Sequence, residues 1–164
     1  MSDPLSGMTN GGGNGGGQPQ ELRVQILGQY VKDLSFENPG APTNMGNRPQ
    51  IEMGVDLQTQ GLDQDRYEVN LKLRITAKAE DRPMFLLELQ YAGLFSIVNA
   101  PPELIQQFTL IEAPHILFPF ARRVVADVTR DGGMPPLMIE PIDFAGLYRA
   151  RQMEAQRQQP QATV

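Results

Sequence analysis

Between Tyr67 and Ala79 the chain alternates without a break. Tyr67, Val69, Leu71, Leu73, Ile75, Ala77 and Ala79 are separated by Glu68, Asn70, Lys72, Arg74, Thr76 and Lys78. A period of two puts every apolar side chain on one side, the signature of a β-strand with one buried face. Upstream, Ile51, Met53, Val55 and Leu57 alternate with Glu52, Gly54, Asp56 and Gln58. The intervening QGLDQD has turn chemistry, so these two strands are predicted to form a hairpin. Downstream, AEDRP makes a turn, and Met84 to Val98 sets Phe85, Leu87, Leu89, Tyr91, Phe95 and Ile97 on one face of a further strand. A first strand is predicted from Leu22 to Phe36, with Leu22, Val24, Ile26, Tyr30, Leu34 and Phe36 on one side. The segment that follows, ENPGAPTNMGNRPQ, is too long and too rich in Pro, Gly and Asn for a tight hairpin. It is expected to carry the chain across to another edge of the sheet.

After Ala100 the period changes. Pro101, Pro102 and Glu103 open a helical stretch to Glu112 carrying Leu104, Ile105, Phe108 and Ile111, and Pro114 is expected to interrupt it. A second piece carries Ile116, Leu117, Phe120, Val124, Val125 and Val128, and Gly132-Gly133 ends it. Asp143 suits the N-cap of a last helix, with Ile142 and Leu147 at staple positions and Phe144, Leu147 and Tyr148 on one stripe. The fold class is α+β: a four-stranded antiparallel sheet with a crossover loop, then a long proline-interrupted helix and a C-terminal helix. The single domain is placed at residues 22–155. Residues 1–21 read as a disordered Gly-rich leader, because seven glycines and three large apolar side chains cannot bury enough surface to offset chain entropy. Residues 156–164 are polar and read as a flexible tail.

Composition removes several function classes. Among 164 residues there is no Cys, so disulfides, thiol catalysis and Cys-ligated zinc are excluded. A net charge of −5 argues against general nucleic-acid binding, which needs clustered cations. No apolar run approaches the roughly 18–20 residues that span a bilayer, and no signal-peptide core follows Met1. A cytoplasmic protein without membrane insertion is expected. The one histidine, His115, has no ligand cluster around it, and none of Ser2, Ser6, Ser35 and Ser96 sits in a nucleophile elbow. Glu80-Asp81 and Asp63 with Asp65 fall in turns, and the Gly-rich leader lacks the strand before it and the Gly-Lys-Ser/Thr after it that a phosphate loop needs. Neither an enzyme nor a cofactor is expected.

Two features remain. On the polar side of the sheet, Glu52 and Asp56 can meet Lys72, Arg74 and Lys78 across the hairpin. Asp33 and Glu37 on the first strand, and Glu88 on the fourth, have no evident cation on their own strands, and the apolar Leu86 shares the face of Glu88. Two readings stand: a solvated face that resists edge aggregation, or an acidic docking surface for a cationic partner. The second feature is an apolar surplus beyond what one short C-terminal helix can cover, which is either buried between subunits or open as a binding groove. Met45, Met134, Met138 and Met153 fall in loops or near the last helix, where methionine suits a surface that accepts many sequences and also fills core gaps.

Together these segments resemble the SecB family of bacterial export chaperones. The resemblance runs through YVKDLSFENPGAP, YEVNLKLRITA, FLLELQYAGLFSIVNAP, HILFPFARRVV and PPLMIEPIDFAGLY, in matching order over residues 24–150. It implies a homotetramer built as a dimer of dimers, ATP-independent capture of unfolded preproteins, and their delivery to the SecA motor. It further implies that the acidic outer sheet face docks the zinc-bearing C-terminal tail of SecA, at positions matching Asp33, Glu37, Leu86 and Glu88. The client grooves it implies are lined by the crossover loop and by the last helix with its preceding connection, here Met45, Met134, Leu137, Ile139, Phe144 and Leu147. The chain departs from familiar members in two places. Its crossover loop, TNMGNRP, has no aromatic residue, and its tail carries Arg149, Arg151 and Arg157 against Glu154 where familiar members are acidic. Two other readings stay open: a SecB-like chaperone dedicated to a single client such as an antitoxin, and a closed structural oligomer without a groove.

Overall fold

Strands β1 (Arg23–Glu37), β2 (Gln50–Asp63), β3 (Arg66–Ala79) and β4 (Arg82–Val98) form one antiparallel sheet in the order β1-β4-β3-β2. The structure, a computed structural model, describes residues 20–159, so most of the leader and the end of the tail lie outside the described residues. The connection from β1 to β2 passes from one edge of the sheet to the other, as its length and composition predict. The two hairpins follow the alternation: Leu73 stands between Val55 on β2 and Leu89 on β4, all three on the same face. At the β3–β4 turn, Glu80 and Asp81 have φ of 50° and 61°, the left-handed pair that a tight two-residue hairpin turn requires.

Helices cover the apolar face. Val69, Leu71, Leu73 and Ile75 of β3 and Leu87, Leu89, Phe95 and Ile97 of β4 are buried there with Leu117, Ala121 and Val125. The approach is close at Gly93, where an added Cβ would lie 2.8 Å from Leu117 Cδ2 and 2.7 Å from Phe95 Cε2. Only hydrogen in place of a side chain allows the helix to settle on β4 there.

The interruption expected at Pro114 takes the form of a wider helical turn. Helix α1 (Pro102–Gln107) runs without a break through a π-helical turn (Phe108–Glu112) into α2 (Ala113–Asp131). Widening the helix at this point, with the Ala113 N–H bonding back to the Phe108 carbonyl, takes the proline into a continuous rod instead of a break. Helix α3 (Phe144–Gln158) starts as predicted at Asp143, whose carboxylate accepts the Gly146 N–H at 2.9 Å. It runs three residues into the segment assigned to the tail.

Strand β1 departs from its simple alternation. Register shifts between Ile26 and Gly28, and between Val31 and Asp33, mark Leu27 and Lys32 as extra residues. Each insertion turns the following side chains to the opposite face. Tyr30, expected among the core-facing residues, therefore stands opposite Ala92 on the outer face, and Val31 takes the inner position opposite Tyr91. The second insertion restores Leu34 and Phe36 to the inner side. Because β1 is an edge strand, Val24, Ile26, Val31 and Leu34 remain an exposed apolar stripe.

Candidate functional site

The bulge at Lys32 determines what the outer face carries. Past it, Asp33 stands opposite Gln90, Ser35 opposite Glu88, and Glu37 opposite Leu86. All four sequence-predicted docking residues, Asp33, Glu37, Leu86 and Glu88, thus share the outer face on two adjacent strands. Asp33 and Glu88 border a single shallow hollow with Asp56, Lys72, Arg74 and Gln90. Asp33 and Glu37 make no ion pair among the described residues.

Glu88 finds its cation on the neighbouring strand. Arg74 is its opposite number on β3, and Nη1 lies 3.4 Å from the Glu88 Oε1. The pairing was accessible in principle. Counting from the two-residue turn alone sets Arg74 opposite Leu87, which would mix polar and apolar faces. The register shift between Ala77 and Lys78 removes that conflict by one residue. Arg74 is thereby drawn away from the β2 acids, and Asp56 bonds Arg151 of α3 at 2.9 Å instead.

A second cluster supports the same face. Lys32 Nζ lies 2.5 Å from Glu68 Oε1, and the Tyr30 hydroxyl donates to the other carboxylate oxygen. These bonds hold the Glu68 carboxyl below the ordinary carboxylate range, Lys32 contributing more than Tyr30. Burial first, and Glu68 second, push the Tyr30 phenol up to about 12. Beside them the buried Asn70 amide donates to Gln90 at 2.9 Å.

On the opposite side of the sheet, at the end nearest the crossover loop, an apolar groove is lined by Met45, Ile51, Phe85, Met134, Pro136 and Leu137. Its walls are tied together. The Asn38 amide donates to the Gly132 carbonyl at 2.9 Å, and the Leu137 N–H donates to the buried Thr129 hydroxyl at 2.9 Å. Gly133, at φ +85°, lies directly against the Met45 methyl, so a side chain there would be strained and would collide. Met45, Met134 and Leu137, three of the sequence-predicted groove residues, therefore meet in one place. Ile139 and Phe144 lie elsewhere, buried in the core, with Phe144 edge-on to His115 at 5.2 Å and to Phe118 at 6.3 Å. Leu147 is half-exposed on α3, outside this groove. A second apolar hollow, which the sequence reading did not single out, lies between α1 and the sheet and is lined by Leu22, Val24, Ile97, Leu104, Phe108 and Ile111. Its signal was present in the period of Leu104, Phe108 and Ile111, although only the packed sheet reveals that they face Val24.

Known proteins share much of this sequence and fold. A family model described as preprotein translocase subunit SecB matches residues 17–156. The chain is 50% identical over 160 residues to the protein-export protein SecB of Parvibaculum lavamentivorans, covering 94% of both chains. It is 56% identical over 128 residues to the protein of that name from Zymomonas mobilis, covering 77% of this chain and 78% of that one. Its fold is similar to that of a Mycobacterium tuberculosis SecB-like chaperone solved with an antitoxin peptide, at a TM-score of 0.64 and 16% identity over 73% of this chain and 91% of that one.

Proposed function

Because the chain belongs to the SecB family of preprotein-translocase chaperones, we propose that it captures unfolded preproteins without ATP, keeps them translocation-competent in the cytoplasm and delivers them to SecA. A folded client hides its apolar side chains and strand edges, so only a non-native chain can fill an apolar groove. The groove around Met45, Met134 and Leu137 supports this reading, since flexible thioether side chains repack around unrelated sequences. The exposed stripe on β1, with Phe120 on α2, offers apolar surface for association of copies into a homotetramer, a dimer of dimers. Several grooves on one particle then raise avidity for a single long client.

Delivery uses the other side of the sheet. Asp33, Glu37 and Glu88 around Leu86 attract a cationic partner by complementary charge, here the zinc-bearing C-terminal tail of SecA. The observation that carries this half is the register of β1 on β4, in which Glu37 faces Leu86 and Ser35 faces Glu88.

Native mass spectrometry with a slow-folding polypeptide tests the capture half. The expected particle has four 18.2 kDa subunits and gains mass from the unfolded polypeptide alone. A tetramer that ignores diverse unfolded chains and binds one antitoxin is a dedicated chaperone, and one that binds neither is a closed oligomer. For delivery, Glu88→Lys is expected to lose SecA affinity and keep client affinity. Loss of client binding with SecA binding intact would overturn the assignment.

A further inference from the structure

We propose that Arg74 is an exchangeable internal counter-ion of Glu88, and that a cationic partner enters the outer-face hollow by displacing it. The inference rests on the docking reading above and adds a residue that sets its threshold. Three observations carry it.

The Arg74–Glu88 contact is loose. At 3.4 Å it is longer than the roughly 2.7–2.9 Å of a charge-assisted hydrogen bond, and its side chains are 65% and 44% exposed. Exposed pairs of this kind are weak and readily exchanged. Asp56, by contrast, is held by Arg151 at 2.9 Å on the same hollow's rim.

Displacement also has somewhere to go. The residue opposite Arg74 on β2 is Gly54, above which an added Cβ would meet nothing within 4 Å. The guanidinium can swing over this open strip, toward Asp56, without moving the backbone. Finally, Arg74, Glu88 and Ser35 form one row across β3, β4 and β1, with Asp33 in the same hollow and free of any ion pair among the described residues. A partner bearing cations meets Asp33 first and then competes for Glu88. A partner without them leaves Arg74 seated, so Arg74 is a specificity-determining residue.

The test is calorimetric titration with a synthetic peptide of the zinc-loaded SecA tail, at several salt concentrations, on the full chain and its Arg74→Gln, Glu88→Gln and doubly substituted variants. Arg74→Gln is expected to bind about two- to fivefold tighter at low salt. Its salt dependence should be steeper, because binding then forms an ion pair without breaking one. Glu88→Gln should weaken binding, and adding Arg74→Gln to it should change nothing further. Unchanged or weaker binding by Arg74→Gln, while Glu88→Gln still weakens it, overturns the proposal and leaves the docking reading standing. If neither substitution moves peptide binding, the docking reading fails and the proposal falls with it.

Discussion

Lys32, the extra residue of the second bulge in β1, reaches over β4 to place its Nζ 2.5 Å from Oε1 of Glu68 on β3. The span explains why the bulge is stable. An inserted residue loses its ladder partner, and here its side chain gains a charged one, beside the hydroxyl of Tyr30 on the same carboxylate. The insertion is also what turns Asp33 outward. Without it Asp33 would lie opposite Leu89, in the core. Glu68 is thus a positioning residue for a surface it does not itself border.

Replacing Glu68 with Gln removes the charge that anchors two side chains. The Glu68 side chain is only 13% exposed, so the loss is expected at about 1–2 kcal/mol of unfolding free energy. Urea denaturation measures it. The same variant should bind the SecA-tail peptide more weakly although Asp33, Glu37, Leu86 and Glu88 are intact. Unchanged peptide affinity would mean that Glu68 stabilises the sheet without positioning Asp33.

The cluster also predicts a pH dependence. The Glu68 carboxyl titrates below its ordinary range, held there by Lys32 first and Tyr30 second. Its stabilisation is complete above the unfolded value of about 4.3 and is lost as pH falls through the folded value. The Tyr30 phenol is raised to about 12, so its share is complete below about 10 and is lost as pH rises through the raised value. The gap in melting temperature between the natural chain and Tyr30→Phe should be flat between about pH 6 and 9 and close on both sides. A gap that widens at high pH would contradict the arrangement.

Gly93→Ala tests the contact between α2 and β4. The added methyl meets Leu117 and Phe95 at under 3 Å, with little room for either buried side chain to retreat. Overpacking of this kind costs about 1–3 kcal/mol. A shift in the denaturation midpoint with unchanged slope is the expected result.

Met45 and Phe144 should separate groove from core. Met45→Glu puts a charge on a half-exposed groove wall, so unfolded-client affinity should drop with little change in melting temperature. Phe144→Ala empties a fully buried position against Phe118 and His115, with an expected loss of about 3–5 kcal/mol. Client binding lost by Phe144→Ala at unchanged stability would return Phe144 to the groove.

Local chemistry made much of this protein legible from its sequence. The alternation of β3, the two hairpins and the Asp143 cap depend on residues within a few positions of one another, and a period or a cap is complete in such a window. The long, Pro- and Gly-rich connection after β1 likewise announced a crossing to the far edge. Other decisions needed a neighbour distant in the chain. Lys32, the inserted residue of β1, finds its charged partner at Glu68, 36 residues away. Arg74 turns to Glu88 instead of the β2 acids because the register of β3 on β4 shifts by one residue near the turn. Phe144 and Ile139 are core because α2 and the sheet close over them, while Met45 and Leu137 meet because Asn38 and Thr129 tie two loops to the end of α2. Periodicity along the chain assigns a residue to a face, and only the packing of separate elements determines what that face meets.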